Sequence, residues 1–135
     1  MALPLSWING EMAGAMLLDL SKLEQALAEF SRERDWDQFH TPKNLVMALT
    51  GEVGELNEIF QWLTDTEARE AGRSTATAVH VGEELADVLL YLVRLSSVLG
   101  VDLNAAVVDK LAKNALKYPA DKVRGSSRKA DPFAG

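Results

Sequence analysis

Residues 45–63 read LVMALTGEVGELNEIFQWL, and the spacing of their apolar side chains decides how the chain folds. Leu45, Leu49, Leu56 and Phe60 recur at helical intervals, with Ala48, Ile59 and Trp62 on the adjacent line, which predicts an amphipathic helix. Such a helix keeps its acids away from its apolar face. Here Glu52 is in phase with the Leu45 line and Glu55 with the Ala48 line, so two carboxylates fall on the side that packs. An ionised carboxylate taken out of water either neutralises or finds a cation. Few lysines or arginines stand nearby, and a metal ion is the simplest partner. For an isolated Glu-x-x-Glu the plainer reading is a solvated acidic face. Gly51 and Gly54 flank the acids although each costs about 0.5–1 kcal/mol relative to alanine inside a helix. That cost predicts a close approach to the backbone at this point.

A second acidic pair shifts the balance. In VGEELADVLLYLVRLSSVLG, residues 81–100, an apolar stripe runs through Val81, Leu85, Val88, Leu92, Leu95 and Leu99, widened by Leu89, Leu90 and Val93. A helix so largely apolar belongs at the centre of its bundle. Glu84, Asp87 and Tyr91 follow one another at spacings of three and four and form one polar line on it. Two facing helices bearing Glu-x-x-Glu and Glu-x-x-Asp would gather Glu52, Glu55, Glu84 and Asp87 around one cavity. Four hard oxygen donors suit Mg²⁺, with Mn²⁺ as the other choice, rather than Zn²⁺ or Cu²⁺.

The remaining elements follow from start and stop signals. Periodicity predicts a first helix from about Met16 to Asp35, with Leu20, Leu23, Leu27 and Phe30 inward. It ends in an aromatic cluster of Trp36, Phe39 and His40. Thr41 as N-cap and Pro42 at the first helical position open a second helix that runs to about Leu63. Charge and Gly72 make residues 64–75 a surface connection. A third helix spans about Ala76 to Leu99 and stops at Gly100. Asp102 caps a fourth, which runs to about Lys117 before Pro119. No useful strand-like alternation occurs, so the fold class is all-α, a four-helix arrangement. Residues 1–15 read as an irregular arm, 16–118 as the domain and 119–135 as a mobile basic tail.

Composition excludes several classes of function. At 135 residues the chain makes one domain, and 47% apolar content argues for a packed core. The absence of cysteine removes disulfide frameworks and thiolate zinc sites and fits a reducing compartment. A net charge of -6 argues against general binding of nucleic-acid polymers, while leaving room for a small polyanion. Every apolar run is interrupted before the ~20 residues a membrane span needs, and the start lacks the basic region of a secretory signal. A cytoplasmic location is expected.

Two further groups of residues complete the chemistry. Lys110, Lys113, Asn114, Lys117 and Tyr118 share a stripe on the fourth helix. Ammonium groups beside a metal ion are a means of holding polyphosphate, although basic residues also suit the C-terminal half of any helix. Trp36, His40, Trp62 and Tyr91 are candidates for a base-binding wall, because aromatic faces stack on nucleobases. Tryptophan at helical spacing is also ordinary core, and a lone histidine is also an ordinary structural hydrogen-bonding residue.

Taken together, GEVGEL at 51–56, EELADVLLYL at 83–92 and the stripe ending KYP resemble the MazG-like all-α nucleoside triphosphate pyrophosphatases. ERDWDQFHTPKNL at 33–45 resembles more particularly the dCTP pyrophosphatase branch. The likeness covers about Leu20 to Pro119. It implies hydrolysis of a (deoxy)nucleoside triphosphate between the α and β phosphates, with dCTP and 5-modified dCTP in view, giving the monophosphate and pyrophosphate. By the same resemblance Glu52, Glu55, Glu84 and Asp87 match magnesium ligands, and Trp36, His40, Trp62 and Tyr91 match residues around the cytosine. Lys110, Asn114, Lys117 and Tyr118 match the phosphate side. The family implies a homo-oligomer, dimer or tetramer, in which neighbouring chains complete each pocket. The family's motif often opens with two adjacent acids where this chain has Gly51 before Glu52. Within this reading Glu55 or Glu84 could take the proton of the attacking water.

Three other readings remain. One is a pyrophosphatase of broader specificity acting on non-canonical nucleotides. Another is a non-enzymatic helical interaction module whose acids are surface charge. The third, a carboxylate-bridged di-iron bundle, needs Glu-x-x-His motifs that His40 and His80 do not supply.

Overall fold

The computed structural model describes residues 18–129, and all regular structure among them is helical. Four long helices, α1 (Leu20–Glu33), α2 (Pro42–Phe60), α4 (Ala78–Leu99) and α5 (Leu103–Lys117), are accompanied by two short ones, α3 (Asp65–Glu70) between α2 and α4 and α6 (Ala120–Val123) after α5. The arm expected over residues 1–15 and the start of the first helix at Met16 lie outside the described residues. No helix among the described residues is long and apolar enough to cross a membrane.

Local chemistry sets the boundaries. Asp19 accepts from the backbone N–H groups of Ser21 and Lys22, so α1 begins at Leu20. It ends in a Schellman motif: Trp36 N–H donates to Ser31 C=O at 2.9 Å and Asp35 N–H to Arg32 C=O at 3.1 Å. Asp35 occupies the left-handed position with φ 54°, a conformation glycine usually takes and aspartate tolerates. The helix therefore stops two residues before the expected Asp35, and the chain turns sharply to present Trp36, Asp37 and His40. Thr41 caps α2 through Asn44 N–H, with Pro42 in its first turn, as the sequence predicts. Gly100, at φ 67°, ends α4, and Asp102 caps α5 through Ala105 N–H.

Three expectations need correction. The connection over residues 64–75 contains α3, nucleated by a reciprocal capping box in which Thr64 and Glu67 satisfy each other's backbone N–H. The basic tail contains the single turn α6. And α2 ends at Phe60 rather than Leu63, so Trp62 does not continue the helical phase.

The chain divides into two compact units, up to Val101 and from Asp102 onward. In the first, α4 packs against both α2 and α1, the central role its apolar sequence predicts. Leu23, Leu45, Val81 and Val93 are buried there, together with Ser31, Glu84 and Ser96. The buried face of α4 thus runs through Val81, Glu84, Val93 and Ser96. Leu85 and Leu99, read from sequence as part of the core stripe, are each 53% exposed, and Leu92 is exposed beside them. The second unit comprises α5 and α6. No side chain of α5 is buried; Lys113 pairs with Asp109 one turn earlier at 2.7 Å.

Candidate active site

Phase on α2 and α4 brings acids from both helices together. Single carboxylate oxygens of Glu52, Glu55 and Glu84 lie within 4.8 Å of one another. Glu84 is 7% exposed, Glu52 half-buried and Glu55 exposed. His80, one turn before Glu84, lies with Nε2 3.2 Å from Glu84 Oε1. The other oxygen, Glu84 Oε2, is buried without a hydrogen-bond partner, and so is Glu52 Oε2. Buried carboxylate oxygens with no donor are costly. Burial pushes the Glu52 carboxyl above its ordinary value, and the charges of Glu55, Asp87 and Glu84 push the same way, with a hydrogen bond to Glu55 adding to them. Crowded oxygen donors with two unpaired oxygens are the surroundings a hard divalent cation fits.

Asp87 is close enough to act on Glu52 electrostatically but stands outside the tight trio of oxygens. It lines an adjoining cavity of about 220 Å³ instead. Leu27, Phe30, Trp36 and Leu90 supply the apolar wall of that cavity; His40, Asp87, Tyr91 and Arg94 supply its polar groups. Trp36 meets Phe30 edge-on, with ring centroids 5.8 Å apart, and is tilted against His40 at 6.3 Å. Three of the four proposed base contacts, Trp36, His40 and Tyr91, therefore share one cavity. Trp62 does not: it lies past the end of α2, 87% exposed, and is absent from the lining.

Two features escaped the sequence reading. One is His80, whose signal was its i,i+4 spacing to Glu84 on the same helix line. The other is a polar network at the far end of the cavity. Arg94 donates to His40 Nδ1 at 3.1 Å and to Asp37 Oδ1 at 2.9 Å, and the buried Ser31 Oγ lies 2.5 Å from Asp37 Oδ1. Burial, followed by the Arg94 guanidinium, pushes the His40 imidazole below its usual range, against the opposing pull of Asp37. The close approach expected at Gly51 and Gly54 is not found: a Cβ on either would meet nothing within 4 Å.

In the second unit, Asn114 and Tyr118 are half-buried and Lys110 and Lys117 exposed. Tyr118 N–H closes α5 on Asn114 C=O at 2.8 Å, and Lys117 Nζ sits 5.6 Å over the Tyr118 ring.

A helical protein with carboxylates from two helices beside an aromatic cavity is the class the geometry defines. The chain belongs to the MazG-like family, whose model matches residues 48–132. It is 51% identical to dCTP pyrophosphatase 1 of Homo sapiens and 47% identical to that of Mus musculus, in each case over 110 residues that make up 82% of this chain. The aligned part spans 65% of the length of these curated relatives. A solved structure of a pyrophosphatase from Archaeoglobus fulgidus is similar with a TM-score of 0.69 and 42% identity, covering 74% of this chain and 92% of that one. The resemblance to the dCTP pyrophosphatase branch read from ERDWDQFH and GEVGEL is borne out.

Proposed function

We propose that the chain is a nucleoside triphosphate pyrophosphatase that hydrolyses dCTP, and 5-modified dCTP, to the monophosphate and pyrophosphate. The observation that carries this reading is continuity along α4: Glu84 belongs to the acid cluster, while Asp87, Tyr91 and Arg94 line the aromatic cavity beside it. A triphosphate needs charge compensation at one end and a stacking wall at the other, and this line joins the two. Similarity to relatives named dCTP pyrophosphatase 1 supports the same substrate.

Glu52, Glu55 and Glu84, with Asp87 at the margin, would hold Mg²⁺ or Mn²⁺. The unpaired oxygens of Glu52 and Glu84 fit that role. A bound divalent cation would supply Lewis acidity toward phosphate oxygens and a more acidic water. Reaction consumes one water: its oxygen bonds to the α-phosphorus, the bond from that phosphorus to the bridging oxygen breaks, and pyrophosphate leaves. Of Glu55 and Glu84, the two candidates for the water's proton, we assign it to Glu55, which is exposed and has no histidine beside it, whereas His80 pairs with Glu84. Trp36 and Tyr91 enclose the base, and His40 offers it a ring nitrogen. The family resemblance alone suggests Lys110, Asn114, Lys117 and Tyr118, all in the second unit, as phosphate contacts of this chain or of a partner copy.

The acid cluster and the aromatic cavity both lie in the unit that ends at Val101, and the functional form is a homo-oligomer. Val46, Met47 and Val53 on α2 and Leu85, Leu92 and Leu99 on α4 are exposed apolar side chains that a second copy would cover. Trp62, 87% exposed past the end of α2, would be available to such a copy. A cytoplasmic location is consistent with this chemistry. The test is release of pyrophosphate across a panel of canonical and modified nucleotides, with and without Mg²⁺. Cation-dependent release favouring dCTP is expected; a flat profile would favour the broad-specificity reading, and no release at all the interaction module.

A further inference from the structure

Arg94 lies three residues beyond Tyr91 on the α4 line that carries Glu84 and Asp87. Its Nε is 3.1 Å from His40 Nδ1, and its Nη2 is 2.9 Å from Asp37 Oδ1 and 3.5 Å from Ser31 Oγ. Ser31 is fully buried, and its hydroxyl oxygen is 2.5 Å from Asp37 Oδ1 and 3.2 Å from His40 Nδ1. A guanidinium has only protons to give, so Nδ1 must accept from Nε. A carboxylate only accepts, so it takes the Ser31 proton. These roles leave His40 a neutral ring with its hydrogen on Nε2, and no described residue hydrogen-bonds that nitrogen.

We propose that Arg94, held in place by Asp37 and Ser31, is a positioning residue that fixes His40 as an Nε2–H donor, and that this donor selects the base. Cytosine presents an unprotonated N3 to such a donor, whereas uracil and thymine carry a hydrogen at N3 and meet it donor to donor. In the opposite tautomer Nε2 would accept, and the preference would turn toward rings with N3–H. The inference rests on the nucleotide reading given above and names the group that sets its specificity. Burial and the neighbouring guanidinium disfavour a protonated His40 ring, which keeps the donor neutral.

Removing Arg94 takes away the group that forces Nδ1 to accept. Ser31 Oγ, 3.2 Å away, is then free to accept from an Nδ1–H, and the tautomers mix. The experiment combines ¹⁵N–¹H spectra of the histidine rings with kinetics, His40 being assigned by comparison with His80→Asn. In the wild-type protein an unprotonated Nδ1 and a protonated Nε2 are expected. In Arg94→Ala, protonated Nδ1 should appear, and the ratio of kcat/KM for dCTP over dUTP should fall about tenfold or more, since a buried hydrogen-bonding site rejects a mismatched analogue strongly. Arg94→Lys keeps the charge but not the planar fork that reaches Asp37 and Nδ1 together, so it should not restore the ratio. A wild-type His40 protonated on Nδ1, an unchanged ratio in Arg94→Ala, or full rescue by lysine would each overturn the proposal. Should the wild-type protein release no pyrophosphate from any nucleotide, the catalytic reading fails by itself. The tautomer is still decided by the spectra, and selectivity by dCMP against dUMP titrated onto the His40 Nε2 resonance: a preference for dCMP that Arg94→Ala removes upholds the proposal, and equal or no response overturns it.

Discussion

The two ends of the site satisfy their polar atoms in opposite ways. At the aromatic end, Ser31, Asp37, His40 and Arg94 answer one another, from positions on α1, the turn after it and α4. At the acidic end, Glu52 and Glu84 each keep a buried oxygen with no partner at all. A closed polar network rigidifies the place where it sits, whereas unpaired buried oxygens cost free energy until something of opposite charge arrives. The first end is preorganised for recognition and the second is left to be completed by a ligand. Removing a polar group should therefore destabilise the protein at one end and relieve it at the other.

The largest expected effect is on turnover. Glu84→Ala should reduce pyrophosphate release by about 10³-fold, the scale of losing one electrostatic contributor to a transition state, while the helices stay folded by circular dichroism. Full activity in that variant would dissolve the contrast, because the buried acid would then have no part in the chemistry.

Trp36→Ala should cost about tenfold or more in kcat/KM for dCTP, in line with the 1–3 kcal/mol typical of one base–aromatic stack, and should narrow the preference over the larger purines that the emptied wall then admits. His40→Ala should act in the same direction. Equal losses across all four dNTPs would mean that these residues only hold the turn.

Stability separates the two ends by sign. Ser31→Ala removes a buried partner of the network and should lower stability by about 1–3 kcal/mol, read by urea unfolding. Glu52→Gln should do the reverse in metal-free buffer. Because burial and neighbouring acids raise the Glu52 carboxyl above 4.5 in the folded state, the fold retains a proton that the unfolded chain has released. The stability this group contributes is present below pH 4.5 and lost as pH rises through the raised value. The glutamine variant should melt above wild type at pH 8, with the gap closing toward pH 4.5. A variant that melts lower at pH 8 would contradict the assignment.

Gly51→Ala is the smallest effect. With nothing within 4 Å of an added Cβ, it should stabilise the isolated chain by about 0.5–1 kcal/mol. If activity or assembly falls while the chain itself becomes steadier, a partner or the substrate approaches that backbone.

What the sequence made legible was local or periodic. Thr41 with Pro42, Gly100 and Asp102 announced their helix ends through side-chain and backbone geometry that needs no tertiary partner. The convergence of Glu52, Glu55 and Glu84 followed from their phase with apolar neighbours. Other features depended on the whole fold. Arg94 interrupts an apolar stripe without any signal of its role, because its partners are 54, 57 and 63 residues away. Trp62 was placed by a helical phase that stops at Phe60. Leu85, Leu92 and Leu99 are apolar at helical spacing whether they meet this chain or another, and periodicity does not distinguish the two. The Thr64–Glu67 capping box was legible in principle and was outweighed by the charge and glycine around it.

Calorimetric titration of Mn²⁺ or Mg²⁺ into chelator-stripped protein, wild type beside Glu84→Ala, tests the acid cluster most directly. The account predicts saturable binding in the wild type that the variant loses. Binding unchanged by the substitution, or absent from both, would contradict it.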